Sequence, residues 1–284
     1  MSASRVLAFL FIPSFAIAAS AATTLPFALT PQGAIIVPVS VNGGAPIPFL
    51  LDTGSTASVI SSEAAAAAGA PIVAQATLVS AGGQKNAVVA RIEHLAVGTV
   101  RAHGLLATVA SRCELNLPDV LADGRRLQGV IGQDVLAALR YTIDYQARHI
   151  VWHDGSVPLP RDGSVFELEP HDQRFLVRLP QERAVLRLVP DTGADALVLF
   201  RKHGSVLSSL TVGDPIDVTG LGGTRTAQRV RLPTLRIGAT TMLNVAAVVV
   251  DREAESPATD GLLPLHLFAR VTFNGPERQL VIEQ

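Results

Sequence analysis

The chain has 284 residues and a formal net charge of −1, with 48% hydrophobic residues, 17% charged residues and a single cysteine. This length and composition allow two modest domains or one large one, and they exclude a disordered or collagen-like chain. The near balance of 23 basic and 24 acidic residues excludes a basic nucleic-acid-binding surface, and the lone Cys113 excludes an intrachain disulfide.

The first 22 residues have the pattern of a secretory signal peptide. Arg5 precedes an apolar stretch over 6–19, and the small residues 20–22 follow it. The pattern predicts cleavage after Ala21 or Ala22 and a periplasmic or secreted mature protein with no membrane span. An uncleaved N-terminal anchor is the alternative, because one arginine makes a short positive region.

The rest of the chain is predicted to be mostly β, with few helices. A short helix capped by Ser61 is predicted over 61–69, and a second one over 132–139. The predicted strands are rich in β-branched residues and bounded by turn residues, and in the first half they cover 35–41, 46–51, 77–80, 87–97, 104–110 and 141–152.

The sequence contains an internal duplication. Residues 48–60 recur as 187–199, and the later segments 95–98 and 129–131 recur in the same order with offsets of about 130 to 140. Four residues near the end of the first copy have identical partners 130 positions later: Arg140, Thr142, Arg148 and Val151 match Arg270, Thr272, Arg278 and Val281. Glycines, prolines and charges cluster between the copies. We therefore expect two lobes, 23–153 and 173–284, joined by a linker over 154–172.

Each copy places one aspartate directly behind an apolar strand. Asp52 follows Leu51, and Asp191 occupies the equivalent position in the second copy. Two such carboxyl groups facing each other across a pseudo-twofold axis would share one proton, because two like charges about 3 Å apart cannot both ionise. The pair could then activate a water molecule while the protonated partner polarises a carbonyl group.

The residues around these aspartates resemble the retropepsin and pepsin superfamily of aspartic proteases. The motifs are Asp-Thr-Gly-Ser at 52–55, Asp-Thr-Gly-Ala at 191–194, and the downstream glycine-hydrophobic-hydrophobic elements at 129–131 and 261–263. The resemblance covers both lobes and implies an all-β fold of two pseudo-symmetric six- to eight-stranded barrels. It implies that Asp52 and Asp191 are catalytic, supported by Thr53, Gly54, Ser55, Thr192, Gly193 and Ala194.

The resemblance also implies hairpin flaps that close over an extended polypeptide. Glycine-rich segments lie midway between each aspartate and its downstream element, and ordinary surface turns are the alternative reading of them. Paired flaps without a tyrosine are more similar to retropepsins than to pepsins. The candidate flap residues are Ala81, Gly82, Gly83, Gly220, Leu221, Gly222 and Gly223.

Three positions break the symmetry of the duplication. Pro190 precedes Asp191 and removes a backbone donor from a strand expected to be central, and Pro264 stands where the first lobe has Gly132. Ser55 is matched by Ala194. A serine hydroxyl donating to a carboxylate favours its charged form, so Ser55 predicts that Asp52 carries the charge and Asp191 the proton.

The chemistry implied by the resemblance needs no metal or other cofactor. His149 lies in the strand predicted over 141–152 and His153 directly follows it, and no third ligand is suggested nearby, which disfavours a zinc site. The sequence predicts a monomeric exported endopeptidase, either general or dedicated to one substrate. The alternative is a catalytically silent peptide-binding or inhibitor module, although such modules commonly lose one aspartate and this chain keeps both.

Overall fold

The fold is taken from a computed structural model, which describes residues 23–80, 83–111, 124–155, 157, 160, 162–182, 184–201, 211–220, 223–251 and 259–284. Three antiparallel or mixed sheets contain all of the strands described. Two sheets of eight strands form the two lobes, and a six-stranded sheet joins them. The predicted all-β fold of two barrel-like lobes is confirmed.

The first lobe is a closed barrel. Its strands lie in the order β2-β3-β4-β9-β5-β8-β7-β6, and the additional pairing of β3 with β7 closes the ring through Val39 and Val97. Strand bounds are β2 Ala28–Leu29, β3 Ile35–Val41, β4 Ile47–Leu51, β5 Val59–Ser61, β6 Ile72–Ser80, β7 Gly83–Val97, β8 Val100–Ala110 and β9 Gly129–Ile131.

The second lobe repeats this order as β13-β14-β15-β20-β16-β19-β18-β17. Here the side chain of Gln181 bridges the end of β14 to β18 through two hydrogen bonds with the backbone of Arg236 (2.9 and 3.0 Å). The strands are β13 Glu169–His171, β14 Arg174–Pro180, β15 Val185–Asp191, β16 Leu197–Arg201, β17 Thr211–Gly220, β18 Gly223–Ile237, β19 Thr240–Asp251 and β20 Gly261–Pro264.

The third sheet combines strands from the beginning and the end of each half of the chain, in the order β1-β11-β10-β21-β22-β12. Its central pair, β10 and β21, places Thr142 opposite Thr272, and their hydroxyl groups lie 2.9 Å apart on the pseudo-twofold axis. Its strands are β1 Thr23–Pro26, β10 Arg140–Asp144, β11 His149–Trp152, β12 Ser164–Glu167, β21 Arg270–Asn274 and β22 Gln279–Glu283. The predicted linker, 154–172, thus carries β12 and β13.

The single strand predicted over 141–152 is wrong, because the structure has a hairpin there. The Asp144 carboxylate accepts a hydrogen bond from the Ala147 N–H (2.7 Å), and Arg148 has a φ of +54°, so the chain turns between β10 and β11. Asn274 and Arg278 form the equivalent turn in the second lobe. In neither turn is the residue with positive φ a glycine.

Both predicted helices are present but shorter. Helix α1 covers Ser62–Ala67, and the hydroxyl of Ser61 caps it by accepting from the Ala64 N–H at 3.0 Å. Helix α2 covers Gln133–Leu136, directly after β9, and the second lobe has a 3₁₀ turn at Leu265–Leu267 in the same place. Among the described residues, no helix has the length and apolar character needed to cross a membrane.

Candidate active site

The two aspartates lie where the lobes meet, each at the end of a central strand. Asp52 follows β4, which is flanked by β3 and by the parallel strand β9. Asp191 ends β15, which pairs with the parallel strand β20 in the same way. The Asp52 N–H donates to the Ile131 carbonyl at 3.0 Å, which fixes the start of the loop to β9. We call residues 52–55 and 191–194 the aspartate loops.

The two carboxyl groups are held by matching backbone hydrogen bonds. One oxygen of Asp52, Oδ1, accepts from the N–H groups of Gly54 (2.8 Å) and Ser55 (3.1 Å). Oδ1 of Asp191 accepts from Gly193 (2.7 Å) and Ala194 (3.0 Å). In each carboxyl group, Oδ2 is left free of these backbone bonds.

Gly54 and Gly193 leave no space for a side chain. A Cβ at Gly54 would lie 2.3 Å from Oδ2 of Asp191, and one at Gly193 would lie 2.9 Å from Oδ2 of Asp52. Each glycine therefore packs against the carboxyl group of the opposite lobe. The close approach of the two carboxyl groups depends on both glycines.

Burial shifts both aspartates towards the protonated form, and the negative charge of Asp52 adds to this shift at Asp191. Burial raises the pKa of Asp52, and the N–H of Gly54, a hydrogen bond with Asp191 and the N–H of Ser55 oppose the rise, as does the charge of Arg174. Burial also raises the pKa of Asp191, to well above its ordinary value, and the negative charge of Asp52 adds to that rise. A single shared proton, held on the Asp191 side, is the state favoured by these directions.

Thr53 and Thr192 connect the two aspartate loops. The Thr53 N–H donates to Oγ1 of Thr192 (3.0 Å), and the Thr192 N–H donates to Oγ1 of Thr53 (3.1 Å). The hydroxyl of Thr53 donates to the Pro190 carbonyl at 2.8 Å, and that of Thr192 donates to the Leu51 carbonyl at 2.6 Å. All four bonds cross between the lobes, so they fix the relative position of the aspartates.

This duplicated geometry agrees with the comparison with protein families. A family model described as aspartyl protease matches the chain twice, over residues 37–135 and 178–266. The chain belongs to the aspartyl protease family. No curated protein matched the sequence of this aspartyl protease.

Helix α2 supports the first aspartate loop of the protease from behind. The Gln133 side-chain amide donates to the Thr53 carbonyl (2.8 Å), and its backbone N–H donates to the Ser55 carbonyl (2.9 Å). Asp134 accepts from both the backbone N–H and the hydroxyl of Ser58, each at 2.7 Å. The Ser58 hydroxyl also accepts from the Gly132 N–H at 3.1 Å.

The second lobe has lost this polar network as a unit. By the offsets of the duplication, Leu197, Pro264 and His266 stand where the first lobe has Ser58, Gly132 and Asp134. Pro264 has no N–H to donate, and Leu197 has no hydroxyl to accept one. Because both partners of this buried hydrogen bond are replaced, no donor or acceptor is left unsatisfied. The departure from symmetry predicted at Pro264 is therefore matched by the change at Leu197.

Pro190 is accommodated because the adjoining ladder stops before it. Strands β14 and β15 pair from Pro180 and Val185 to Val177 and Leu188, two residues short of Pro190. In the first lobe the equivalent ladder continues to Ile35 and Leu51. Pro190, which has no N–H, therefore lies beyond the end of the β14–β15 ladder. The ladder is shorter than its first-lobe equivalent, but the proline interrupts none of its hydrogen bonds.

The predicted hydrogen bond from the Ser55 hydroxyl to the Asp52 carboxylate is wrong. The Ser55 hydroxyl donates to the carbonyl of Ala57 (2.9 Å), and only the Ser55 backbone N–H reaches Asp52. Ala194 makes the same backbone contact in the other lobe, so this pair of residues supplies no asymmetry. Arg174, which sequence reasoning missed, introduces one asymmetry, because its charge lowers the pKa of Asp52 against the larger effect of burial.

The two predicted flaps lie at the ends of long hairpins. Strands β6 and β7 pair up to Ser80 and Gly83, and β17 and β18 pair up to Gly220 and Gly223. The predicted tip residues Ala81, Gly82, Leu221 and Gly222 lie outside the described residues. Cys113 lies outside them as well. Within the described ranges, no three acidic, histidine or cysteine side chains come together as metal ligands would.

Proposed function

We propose that this aspartyl protease is an endopeptidase whose two lobes share one pair of catalytic aspartates, Asp52 and Asp191. The observation that carries the proposal is the facing pair of carboxyl groups, each held by two backbone N–H groups through one oxygen only. The Oδ2 atoms, which accept none of these backbone bonds, are the ones available to a water molecule. Burial raises the pKa of both carboxyl groups, which favours a single proton shared between them.

The reaction that fits this arrangement is hydrolysis by an activated water. Charged Asp52 takes a proton from water as the oxygen attacks the carbonyl carbon of the peptide bond, while Asp191 gives its proton to the carbonyl oxygen. The resulting tetrahedral diol then collapses. Asp52 passes its proton to the amide nitrogen as the C–N bond breaks, and Asp191 recovers a proton from the diol, which restores the starting state of the pair.

We propose an extended polypeptide as the substrate. Each lobe has a long hairpin, β6–β7 or β17–β18, in the part of the sequence where the family resemblance implies a flap. Extended peptides bind to such proteins through their backbone groups. Both aspartates come from one chain, which supports a monomer as the active unit. No cofactor takes part in the proposed reaction.

Cleavage of a peptide library by the mature protein tests the proposal. We expect cleavage within peptides, inhibition by pepstatin, and loss of activity in Asp52→Asn and Asp191→Asn, which keep the shape of the side chain. An unchanged thermal midpoint would show that these variants are folded. Cleavage that survives Asp52→Asn would overturn the mechanism, whereas peptide binding without any cleavage would favour the silent module.

We also propose that the protein is exported, with its signal peptide removed after Ala21 or Ala22. The pattern of Arg5, the apolar stretch and the small residues 20–22 supports this. N-terminal sequencing of protein recovered from the cell envelope should begin at Ala22 or Thr23. A mature chain that still begins at residue 1 would support the uncleaved anchor.

A further inference from the structure

A cavity lies between the lobes next to the aspartate loops. Its volume is about 500 Å³, and it is open on one side. The first lobe contributes Thr56 and Ala57, which directly follow the loop of Asp52, together with Leu106 of β8. The second lobe contributes Arg174 and Phe175 from the start of β14. The cavity is therefore lined by apolar side chains, one guanidinium group and the polar side chains of Gln133, Asp134 and Gln173.

Pro190 accounts for the position of Arg174 at this cavity. Since β14 pairs with β15 only from Val177 onwards, the first residues of β14 are bonded to β13 alone. The two turn residues before Arg174, Asp172 and Gln173, both have positive φ and make a tight hairpin with β13. The start of β14 thus leaves the barrel of its own lobe and faces the first lobe.

Arg174 has no carboxylate partner within the described part of the chain. Two other arginines of these strands are paired: Arg178 and Arg187 both bind Glu169, at 3.2 Å each. Asp134 also lines the cavity, but both of its oxygens are engaged by Ser58. The half-buried charge of Arg174 is felt at Asp52, whose pKa it lowers against the larger effect of burial. A cation that has no carboxylate partner among the described residues, and that lies near the aspartates, is a binding group for an anion.

The equivalent region on the other side of the pseudo-twofold axis is filled. There the ring of His266 lies against Gly33, so closely that a Cβ on Gly33 would be 2.7 Å from its Cγ. Ala34 is the last residue before β3, in the first-lobe region that corresponds to the start of β14, and it is buried. The two sides of the aspartate loops therefore differ, although the loops themselves are symmetric. One side has a cavity with the charge of Arg174, and the other side is filled.

We propose that Arg174 is a specificity-determining residue, which binds the carboxylate of an Asp or Glu side chain of the polypeptide substrate in this cavity. The inference rests on the proposed endopeptidase function and names its substrate class: peptides with an acidic residue close to the cleaved bond. The guanidinium group pairs with the carboxylate, and the apolar part of a glutamate packs against Leu106 and Phe175. The cavity has room for the side chain without displacing either aspartate loop.

The test compares peptides that differ only by Glu or Gln at each of the three positions on either side of the cleaved bond. We expect kcat/KM to be about tenfold higher for Glu at one position, because a charge-assisted hydrogen bond is about twice as strong as a neutral one. Assays at pH 5 are suited to this, since glutamate is then ionised while the pKa of Asp134, raised to about 6 by burial, keeps that neighbour mostly neutral.

Three variants make the test specific. Arg174→Gln should remove the Glu preference, and Arg174→Glu should exchange it for a preference for Lys at the same position. Arg178→Gln is the matched control, because it removes the same charge from the same strand, from a side chain that does not line the cavity. The control should keep the preference in full.

Failure of this inference is distinct from failure of the proposed function. Cleavage with equal rates for Glu and Gln at all six positions, or a preference unchanged in Arg174→Gln, would overturn the role of Arg174 and leave the endopeptidase in place. If no peptide is cleaved, the same peptide pairs are compared by fluorescence anisotropy. Tighter binding of the Glu peptide that is lost in Arg174→Gln would still support the site, and equal binding would overturn it.

Discussion

Thr53 and Thr192 hold each other across the lobe interface, each accepting the other's backbone N–H through its hydroxyl oxygen. Each hydroxyl also donates to the carbonyl that precedes the opposite aspartate, at Pro190 and Leu51. No other side-chain pair described here makes four bonds between the lobes. The position of one aspartate relative to the other therefore depends on two hydroxyl groups.

Replacing one of these hydroxyl groups should cost both stability and activity. Thr192→Val keeps the side-chain shape but removes the acceptor of the Thr53 N–H and the hydroxyl that donates to the Leu51 carbonyl, both in a buried place, which should lower the free energy of unfolding by about 3 kcal/mol. Because a shift of about 1 Å in reacting groups can cost about 100-fold in rate, kcat should fall by a similar factor. Urea unfolding and steady-state kinetics measure the two effects.

Thr272→Val is the control for that variant. It removes another buried hydroxyl from the lobe interface, the one 2.9 Å from Thr142, but in the joining sheet rather than beside the aspartates. It should lower stability while leaving kcat within about twofold of the wild type. A loss of kcat as large as that of Thr192→Val would mean that the interface as a whole, and not the aspartate loops, sets the rate.

The two glycines of the aspartate loops should differ in their sensitivity to alanine. A Cβ at Gly54 would lie 2.3 Å from Oδ2 of Asp191, whereas one at Gly193 would be 2.9 Å from Asp52. We expect Gly54→Ala to reduce kcat/KM more than Gly193→Ala, and both by at least about tenfold. Gly155→Ala, where a Cβ meets nothing within 4 Å, should change nothing. Equal activity in all three variants would contradict the facing geometry.

The acid limb of the pH–rate profile should depend on Arg174 and not on Ser55. Burial raises the pKa of Asp52 and the charge of Arg174 opposes that rise, so removing the charge raises the pKa further. As Asp52 must be ionised to accept a proton from water, the acid limb of kcat/KM in Arg174→Gln should move to higher pH. The same measurement on Ser55→Ala should show no shift, because that hydroxyl bonds to Ala57 instead.

A shift in Ser55→Ala with none in Arg174→Gln would reverse this assignment. Rescue in Arg174→Lys is a further check, because lysine restores the charge without the forked geometry of arginine. The acid limb should return most of the way in that variant. The preference for acidic peptides should return only in part, since it depends on the geometry as well as on the charge.

Features that depend on neighbouring residues could be predicted from the sequence. The Asp-Thr-Gly motifs, the cap at Ser61 and the apolar strands before Asp52 and Asp191 are all written in consecutive residues, and the duplication repeats most of them. The structures that these features predict form between residues close in sequence: Ser61 caps α1, and each aspartate lies at the end of a central strand. The two barrels were implied by the family resemblance that these motifs carry, and the observed strand orders confirm them.

Features that depend on contact between the lobes could not be predicted in this way. Arg174 lies more than 100 residues from Thr56, and only the early separation of β14 from β15 brings them to one cavity. The turn after Asp144 carries no glycine signal, because its positive φ falls on Arg148. The bond from the Ser55 hydroxyl to Ala57 was equally hidden, because a sequence does not show which of two nearby acceptors a side chain reaches.

Asp134 should make the stability of the protein depend on pH in a defined direction. Burial raises its pKa to about 6, against the hydrogen bonds from Ser58, whereas in the unfolded chain the pKa is 3.8. Between these two values the folded state binds a proton that the unfolded state does not, so the free energy of unfolding falls as the pH rises from about 4 to 6. The contribution of this one group over that window is about 3 kcal/mol.

Asp134→Asn should remove that part of the pH dependence, because an amide does not titrate. Urea unfolding at pH 3.5 to 7.5 measures it, with both proteins carrying Asp52→Asn so that self-cleavage does not interfere. Relative to the Asp134→Asn variant, the protein with Asp134 should have its highest free energy of unfolding at the acid end of this range. That difference should shrink by about 3 kcal/mol by pH 7. Parallel curves for the two proteins would show that Asp134 has the same pKa in the folded and unfolded states. That result would contradict the rise in pKa expected from burial, which exceeds the opposing effect of the hydrogen bonds from Ser58.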